Sequence, residues 1–174
     1  MFTYITSGTH GFLKKIEEKH SSEKMILMQN ARTSQLWHET SGRTVFQSPR
    51  KYEVIDSVGS LAHEGFLACI NIPVSDEGRP VFEYDYINNK HMLEIERGFI
   101  AMRVLRPQAS DTYIIMTMWE DEGHYNTWKA SDETLDTQKY AVGIKTSESM
   151  NVFSGPSYIS TFYVGDNENE EESS

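Results

Sequence analysis

The sequence predicts an α+β protein in which helices cover an antiparallel sheet, and three observations lead to that class. Its 174 residues are 38% hydrophobic, which is enough for a core in one domain or in two small ones. Short segments rich in β-branched and aromatic residues alternate with segments of helical periodicity. The clearest two, residues 98–105 and 112–119, flank turn formers at 106–111 and therefore predict a β-hairpin.

The first half of the chain, up to about residue 62, predicts the order β-α-β-β-β-α. The helix is indicated by Phe12, Leu13 and Ile16 at helical spacing, and it is expected to end near His20. The predicted strands are residues 2–6, 25–28, 35–39 and 44–46. After Pro49, apolar residues recur every three positions, which predicts a second helix with one buried stripe. That stripe consists of Tyr52, Ile55, Val58 and Leu61.

The second half predicts the order β-α-β-β-α-β. Residues 66–74 indicate a buried strand, and a helix is expected from Val81 most of the way to Arg97. Both faces of segment 112–119 are apolar, so this strand is expected to be central and covered on both sides. Carboxylates at 120–122 indicate the start of another helix, and residues 157–164 form a last alternating strand. This is the split β-α-β order of ferredoxin-like proteins.

The first half resembles a rougher copy of the second. Ferredoxin-like sheets often pair through their open faces to form a barrel, so two fused units predict a pseudo-dimer of the dimeric α-β barrel type. The expected boundaries are a degenerate ferredoxin-like domain at 1–62, a regular domain at 63–165 and a disordered acidic tail at 166–174.

The charge distribution excludes some classes of partner. The formal net charge is -10, and the tail contributes half of it through Asp166, Glu168, Glu170, Glu171 and Glu172. The remaining body is acidic and has no basic stripe with interleaved aromatic residues, so nucleic-acid binding is not expected. Without an apolar segment of membrane-spanning length or a secretion signal, we expect a cytoplasmic protein that has no membrane partner. The single cysteine, Cys69, lies in an apolar strand and is expected to be a core residue.

Three side chains are candidates for a site, and each allows two interpretations. Asn71 is the polar residue of an apolar strand, either bonded to backbone or aimed into a pocket. Trp128 either seals helix against sheet or lines a pocket. His124 precedes Trp128 by one helical turn on the same side, as a surface histidine beside Asp121 and Glu122 or as an imidazole at the site.

Several uncommon strings recur in order across nearly the whole chain. They lie at residues 4–13, 38–47, 52–56, 77–80, 104–107 and 157–158. In these strings the chain resembles the HmoB-type heme-degrading monooxygenases of Gram-positive bacteria and, more distantly, the staphylococcal TRAP family. The resemblance implies a ferredoxin-like fold and identifies residues 63–165 as an antibiotic-biosynthesis-monooxygenase (ABM) domain.

The resemblance also implies heme as a cofactor, with an Asn, a Trp and an iron-ligating His as site residues. Trp128 matches the Trp. The His position falls on Gln138, which cannot serve as an ordinary proximal ligand, and the Asn position falls on Ile70. Asn71 lies one step further along the strand, so it would replace that residue only across a local bulge.

These considerations give the expected site. Trp128 and Asn71 are the expected catalytic residues, Trp128, His124 and Gln138 would contact the cofactor, and His124 would ligate iron. Asp132, Glu133 and Asp136 would repel a dianionic heme.

Two functions remain open on the sequence. One is a heme-binding or heme-degrading protein that uses an external reductant, and the other is a non-catalytic TRAP-like signalling or stress protein. The expected partner is heme or another hydrophobic small molecule, and the expected state is a monomer or weak homodimer.

Overall fold

The computed structural model describes residues 1–89, 93–131 and 152–165, with the side chain of Asn89 outside the description. The described strands are β1 (Phe2–Gly8), β2 (Met25–Gln29), β3 (Ser34–Thr40), β4 (Arg50–Val58), β5 (Gly65–Pro73), β6 (Phe99–Pro107), β7 (Thr112–Trp119) and β8 (Tyr158–Val164). The described helices are α1 (His10–Lys19), α2 (Arg79–Asn89) and α3 (Glu122–Lys129), with a 3-10 turn at Leu93–Ile95. Among these residues, no helix is both long and apolar enough to cross a membrane.

The strands form one closed antiparallel barrel in the order β1-β3-β2-β8-β5-β7-β6-β4. Each half of the chain occupies one continuous arc, β4-β1-β3-β2 for the first half and β8-β5-β7-β6 for the second. In both arcs the strands of a half follow the same order: fourth, first, third, second. The barrel confirms the expected α+β ferredoxin-like class. The fusion of two units into a pseudo-dimer stays a prediction, and the repeated strand order supports it.

Three apolar cores result from the alternation of side chains along the strands. The barrel interior holds residues such as Ile5, Trp37 and Met116. A second core lies outside the barrel under α2 and α3, and a third lies under α1 around Leu13. Each large side chain that is fully buried in this way stabilises the fold by about 1.5–3 kcal/mol.

Both faces of strand β7 are apolar because each of them is covered by a core. It pairs with β5 on one side and with β6 on the other, so it is central as predicted. Tyr113 and Ile115 belong to the core under α2 and α3, whereas Ile114, Met116 and Met118 belong to the barrel interior. The predicted hairpin of β6 and β7 is confirmed.

The predicted helix after Pro49 is wrong, because residues 50–58 form strand β4. The pairing register of β4 with β6 shifts between Val54 and Asp56, which is the signature of a β-bulge. Tyr52 and Val54 therefore pack in the barrel interior, while Ile55 and Val58 pack on the outer core. The spacing of three arose from residues that belong to opposite faces of a bulged strand.

The predicted strand at 44–46 is also wrong, because this segment is a loop. Thr44 Oγ1 accepts a hydrogen bond from the Phe46 backbone N–H at 3.2 Å and lies 3.0 Å from His38 Nδ1. The first half therefore has the loop 41–49 where the second half has α3. Of the helix expected to extend most of the way to Arg97, the structure describes α2 at Arg79–Asn89 and a 3-10 turn at Leu93–Ile95. The predicted tail at 166–174 lies outside the described residues.

Candidate functional site

Helix α3 carries two of the predicted site residues, and its start is fixed by Asp121. The side chain of Asp121 is the N-cap, whose Oδ1 accepts from the His124 backbone N–H at 2.9 Å. This cap follows directly on the end of β7 at Trp119, so α3 is set against the sheet by a short connection. The predicted helix start is therefore confirmed.

Trp128 packs against the outer face of the sheet. Its ring centroid lies 5.1 Å from that of Trp119 and 6.2 Å from that of Tyr125, and Tyr125 in turn lies 5.3 Å from Phe66. Trp128 is only 7% exposed. Burial in this aromatic cluster raises the pKa of Tyr125. Most of the surface of Trp128 is thus engaged in packing, as in the core interpretation.

His124 lies one turn before Trp128 and is held by the same carboxylate that caps the helix. Its Nδ1 lies 2.8 Å from Asp121 Oδ1. Hydrogen bonds from the backbone N–H and the ring of His124 lower the pKa of Asp121. Because an ionised carboxylate only accepts, Nδ1 carries the hydrogen in the neutral ring and Nε2 keeps its lone pair.

The ring of His124 rests on Gly98, the residue just before β6. Gly98 has a φ of +80°, in the left-handed region that favours glycine. A Cβ at this position would lie 2.3 Å from His124 Cγ, a distance that no packing allows. Both the positive φ and the close approach of the His124 ring therefore require a glycine at position 98.

His124 and Trp128 share a cleft of about 520 Å³ at the surface of α3. The described residues that line it are Glu96, Arg97, Asp121, Gly123, His124, Thr127, Trp128 and Ser131. Trp128 is the one apolar side chain in this described lining, which otherwise consists of two carboxylates, a guanidinium and small or polar groups. The predicted proximity of His124 to Trp128 is therefore present in the structure.

Asn71 lies on the other side of the sheet. Along β5, Leu67 and Cys69 face the barrel interior, whereas Ile70 faces the core under α2 and α3. Asn71 shares the interior face, where its Nδ2 donates to Ser160 Oγ at 3.1 Å and to the Tyr158 carbonyl at 3.3 Å. The register of β5 with β7 and β8 is unbroken, so the local bulge on which its catalytic role depended does not occur in β5. The structure does not bring Asn71 and Trp128 together.

The arginines of β6 are not among the described residues that line the cleft. Arg103 is buried in the barrel interior, where its Nε donates to Glu39 Oε2 at 2.7 Å. Arg106 connects Glu83 of α2 with Glu53 of β4, the second at 3.0 Å. Both arginines therefore link elements of the fold.

Several residues named from the sequence lie outside the described residues. They are Asp132, Glu133, Asp136 and Gln138. The position of Gln138 relative to Trp128 thus stays a prediction.

Sequence reasoning missed Gly98, Glu96 and Arg97, which line or support the cleft. The i, i+3 relation of Asp121 and His124 at a helix start was a signal for their contact. The remaining contacts join α3 to a segment more than twenty residues earlier, and local periodicity carries no signal for them.

The described residues can be compared with what a heme requires. The donor chemistry fits, because an imidazole whose Nδ1–H is held by a carboxylate presents Nε2 to a metal. The lining fits less well, because porphyrin faces favour apolar walls and Trp128 is the one apolar side chain in the described lining. Glu96 and Asp121 would repel heme propionates, whereas Arg97 would attract them.

Comparison with known proteins places this geometry in a family. Residues 62–140 match the family described as antibiotic biosynthesis monooxygenase. The chain is 32% identical over 133 residues to the signal transduction protein TRAP of Staphylococcus aureus, covering 76% of this chain and 80% of that protein.

Solved structures with a similar fold include a staphylococcal protein and a listerial enzyme. A major regulator of staphylococcal pathogenesis superposes with a TM-score of 0.82 at 27% identity, covering 95% of this chain and all of the other. The heme-degrading enzyme LmHde of Listeria monocytogenes superposes with a TM-score of 0.72 at 21% identity over 94% of this chain and 99% of the other, which is a likeness of fold. The chain therefore belongs to the TRAP family, whose fold is that of the antibiotic biosynthesis monooxygenases.

Proposed function

We propose that this protein is a non-catalytic member of the TRAP family, a signal transduction protein that keeps the ABM fold without heme-degrading chemistry. One observation carries the proposal. Asn71 and Trp128, the two residues expected to act together, lie on opposite faces of the sheet.

Catalytic groups contribute only when they reach the same reacting atoms, and a displacement of about 1 Å already costs a large factor in rate. Here a whole sheet separates the Asn71 amide from the Trp128 ring. The residue that does face outward, Ile70, has no hydrogen-bonding group on its side chain. None of the described residues that line the cleft carries a side-chain amide that could act beside a bound oxygen.

The test is an assay of ring opening. The purified protein is mixed with hemin, a reductant and oxygen, and the Soret band is followed with catalase present to remove stray peroxide. We expect the band to decline no faster than in the Trp128→Phe variant. Faster decline in the parent protein, lost in Trp128→Phe, would contradict the proposal.

A gain-of-function variant sharpens this test. Ile70→Asn places an amide on the outward face, and Gln138→His restores the imidazole that the family resemblance implies. If only the missing groups prevent chemistry, the double variant should degrade heme while each single variant does so more slowly. Inactivity of the double variant would indicate that the acidic surroundings also oppose heme binding.

A second candidate function is heme binding without degradation, and the contact of Asp121 with His124 favours it. In this function His124 would ligate the iron through Nε2, Trp128 would contact the porphyrin edge, and bound heme would supply a redox-active iron. The test is titration with hemin. A Soret shift at one equivalent that disappears in His124→Ala is expected, and a shift that persists in that variant rules out His124 as ligand.

The cytoplasmic location and the monomeric or weakly dimeric state belong to the same proposal. The cleft beside α3 is the expected binding site for heme or for another hydrophobic small molecule. Cell fractionation and sedimentation velocity of the purified protein test the two statements separately.

A further inference from the structure

We propose that the outer face of helix α2 is a docking surface for a basic amphipathic helix of a partner protein. This surface consists of Val81, Tyr84 and Ile87, and we call it the α2 face. It is separate from the cleft beside α3, because none of the described residues that line that cleft belongs to α2.

The α2 face is apolar at the positions where a surface helix usually carries charged residues. Val81, Tyr84 and Ile87 are 45%, 70% and 63% exposed, and residues at this spacing lie on one side of a helix. Pro80 and Asn88 are the other exposed positions of α2 whose side chains the structure describes. None of these five residues carries a charge. The solvent side of α2 is therefore an apolar ridge, unlike the polar outer face that is typical of an amphipathic helix.

The charged side chains of α2 contact the rest of the fold. Arg79 donates from Nη1 and Nη2 to two backbone carbonyls at the β6–β7 turn, at 3.3 and 2.6 Å. Glu83 accepts from Arg106 Nε at 3.1 Å and from the Tyr113 hydroxyl at 2.5 Å. These charges anchor α2 on the sheet, so they do not make its outer side more polar.

The charges beside the α2 face favour a basic partner. Asp76 and Glu77 directly precede α2 and are exposed, with the Asp76 side chain at 98%. In segment 76–89, which the structure describes, four residues are acidic and one is basic: Asp76, Glu77, Glu83 and Asp85 against Arg79. A basic amphipathic helix has both groups that this surface needs. Its apolar side chains can pack along the ridge, and its lysine or arginine side chains can pair with the carboxylates.

A second copy of this chain fits the α2 face less well. Two copies joined through this face would bring their acidic borders together, and each copy has a formal net charge of -10. Like charges placed across an interface oppose association. The same negative charge opposes the binding of nucleic acids and of anionic lipid surfaces. A basic protein partner is therefore the occupant that the charges favour.

The first test uses a synthetic amphipathic helix with leucine on one side and lysine on the other, labelled with a fluorophore. Titration with the full chain should give a saturable rise in fluorescence anisotropy. The double variant Tyr84→Ser, Ile87→Ser should weaken this binding at least about tenfold, because it removes most of the apolar ridge.

The matched control is the double variant Phe12→Ser, Tyr158→Ser. These two side chains lie outside α2 and are 60% and 58% exposed. Both double variants keep the net charge of the parent protein, so a difference between them reports the place of binding. The control should change the affinity by less than about twofold. If the parent protein shows no saturable binding, or if both double variants weaken it equally, the proposal is overturned.

The second test concerns the acidic border of the α2 face. Asp76→Asn combined with Glu77→Gln should weaken binding of the lysine peptide about threefold and reduce its dependence on salt. Glu18→Gln combined with Glu64→Gln removes two exposed carboxylates outside α2 and should have a smaller effect. Equal effects of the two pairs would indicate a general attraction of the peptide to an acidic protein and would overturn the docking site.

Sedimentation velocity distinguishes a basic partner from a second copy. The full chain without peptide should sediment in the same way as the variant Tyr84→Ser, Ile87→Ser. A parent dimer that becomes a monomer in this variant would show that the α2 face joins two copies of the chain, which overturns the proposal of a basic partner.

Discussion

At the scale of single residues, a buried ion pair inside the barrel holds the two halves of the chain together. Arg103 on β6 donates from Nε and Nη2 to the two carboxylate oxygens of Glu39 on β3, at 2.7 and 3.3 Å. Its Nη1 donates to the carbonyls of Val58 and Met102 at 3.0 and 2.8 Å. The pair joins the two halves of the chain, and removing Arg103 leaves the buried Glu39 carboxylate without its hydrogen-bonded counter-ion.

Arg103→Met should therefore lower the free energy of unfolding by about 3–5 kcal/mol, measured by urea denaturation. Adding Glu39→Leu to that variant should recover most of the loss, because both charges are then gone. Lys24→Met is the control, because the Lys24 side chain is 40% exposed and its Nζ lies 3.9 Å from Glu39 Oε1. It should change stability by less than about 1 kcal/mol. Equal costs for Arg103→Met and Lys24→Met would contradict this view.

Glu83 on α2 predicts a dependence of stability on pH. Burial alone would raise the pKa of Glu83, but hydrogen bonds from Arg106 and Tyr113 outweigh burial and lower it. A carboxylate with a lowered pKa stabilises the fold above its unfolded pKa of about 4.3, and that contribution is lost as pH falls through the folded pKa. Glu83→Gln should thus flatten the acid side of a melting-temperature curve below pH of about 4.3. The exposed Glu94→Gln should follow the parent curve, and a Glu83→Gln curve parallel to the parent would count against the linkage.

At the scale of elements, α2 has one buried face and one exposed face. Phe82 is 2% exposed and lies 4.7 Å from Tyr113 between ring centroids, whereas Tyr84 on the other face is 70% exposed. Phe82→Ala should cost about 3–5 kcal/mol of unfolding free energy. Tyr84→Ala should stay within about 0.5 kcal/mol in the same denaturation series, and a comparable loss there would mean that the outer face is covered in solution.

The elements that sequence predicted correctly are those with local signals. The hairpin of β6 and β7 follows from composition and turn formers, and the proximity of His124 to Trp128 follows from helical spacing. Strand β4 was mistaken for a helix because a bulge at Val54 and Asp56 moves the apolar positions between faces and imitates a spacing of three. The pairing of that strand with β6, which decides its state, joins distant parts of the sequence.

The candidate site shows the same division. The one-residue step from Ile70 to Asn71 correctly predicted opposite faces, because side-chain alternation in an unbroken strand is local. The support of His124 by Gly98 and the ion pair of Arg103 with Glu39 were not predicted, since each is a contact across the fold. The type of a residue and the periodicity around it do not indicate which distant residues will pair with it across the sheet.

At the scale of the whole molecule, the repeated strand order predicts how the domains behave when separated. If the two halves are fused copies, separating them deprives each four-stranded arc of the arc that completes the barrel. A fragment of residues 63–174 should therefore close its barrel with a second copy and sediment as a homodimer. The full chain should sediment as a monomer or weak dimer under the same conditions, and a folded monomeric fragment would contradict the pseudo-dimer.

The closed barrel also contains the chain's single sulfhydryl, whose reaction rate can report on opening of the barrel. Cys69 is 2% exposed on the interior face of β5, and burial raises the pKa of its thiol. A maleimide can therefore react with Cys69 only while the barrel is transiently open. The β2–β8 seam is the shorter of the two that join the halves, pairing Met28 and Gln29 with Val164 and Tyr163. We therefore expect the rate at which maleimide labels Cys69 in the unmodified protein to follow the frequency with which the β2–β8 pairing opens.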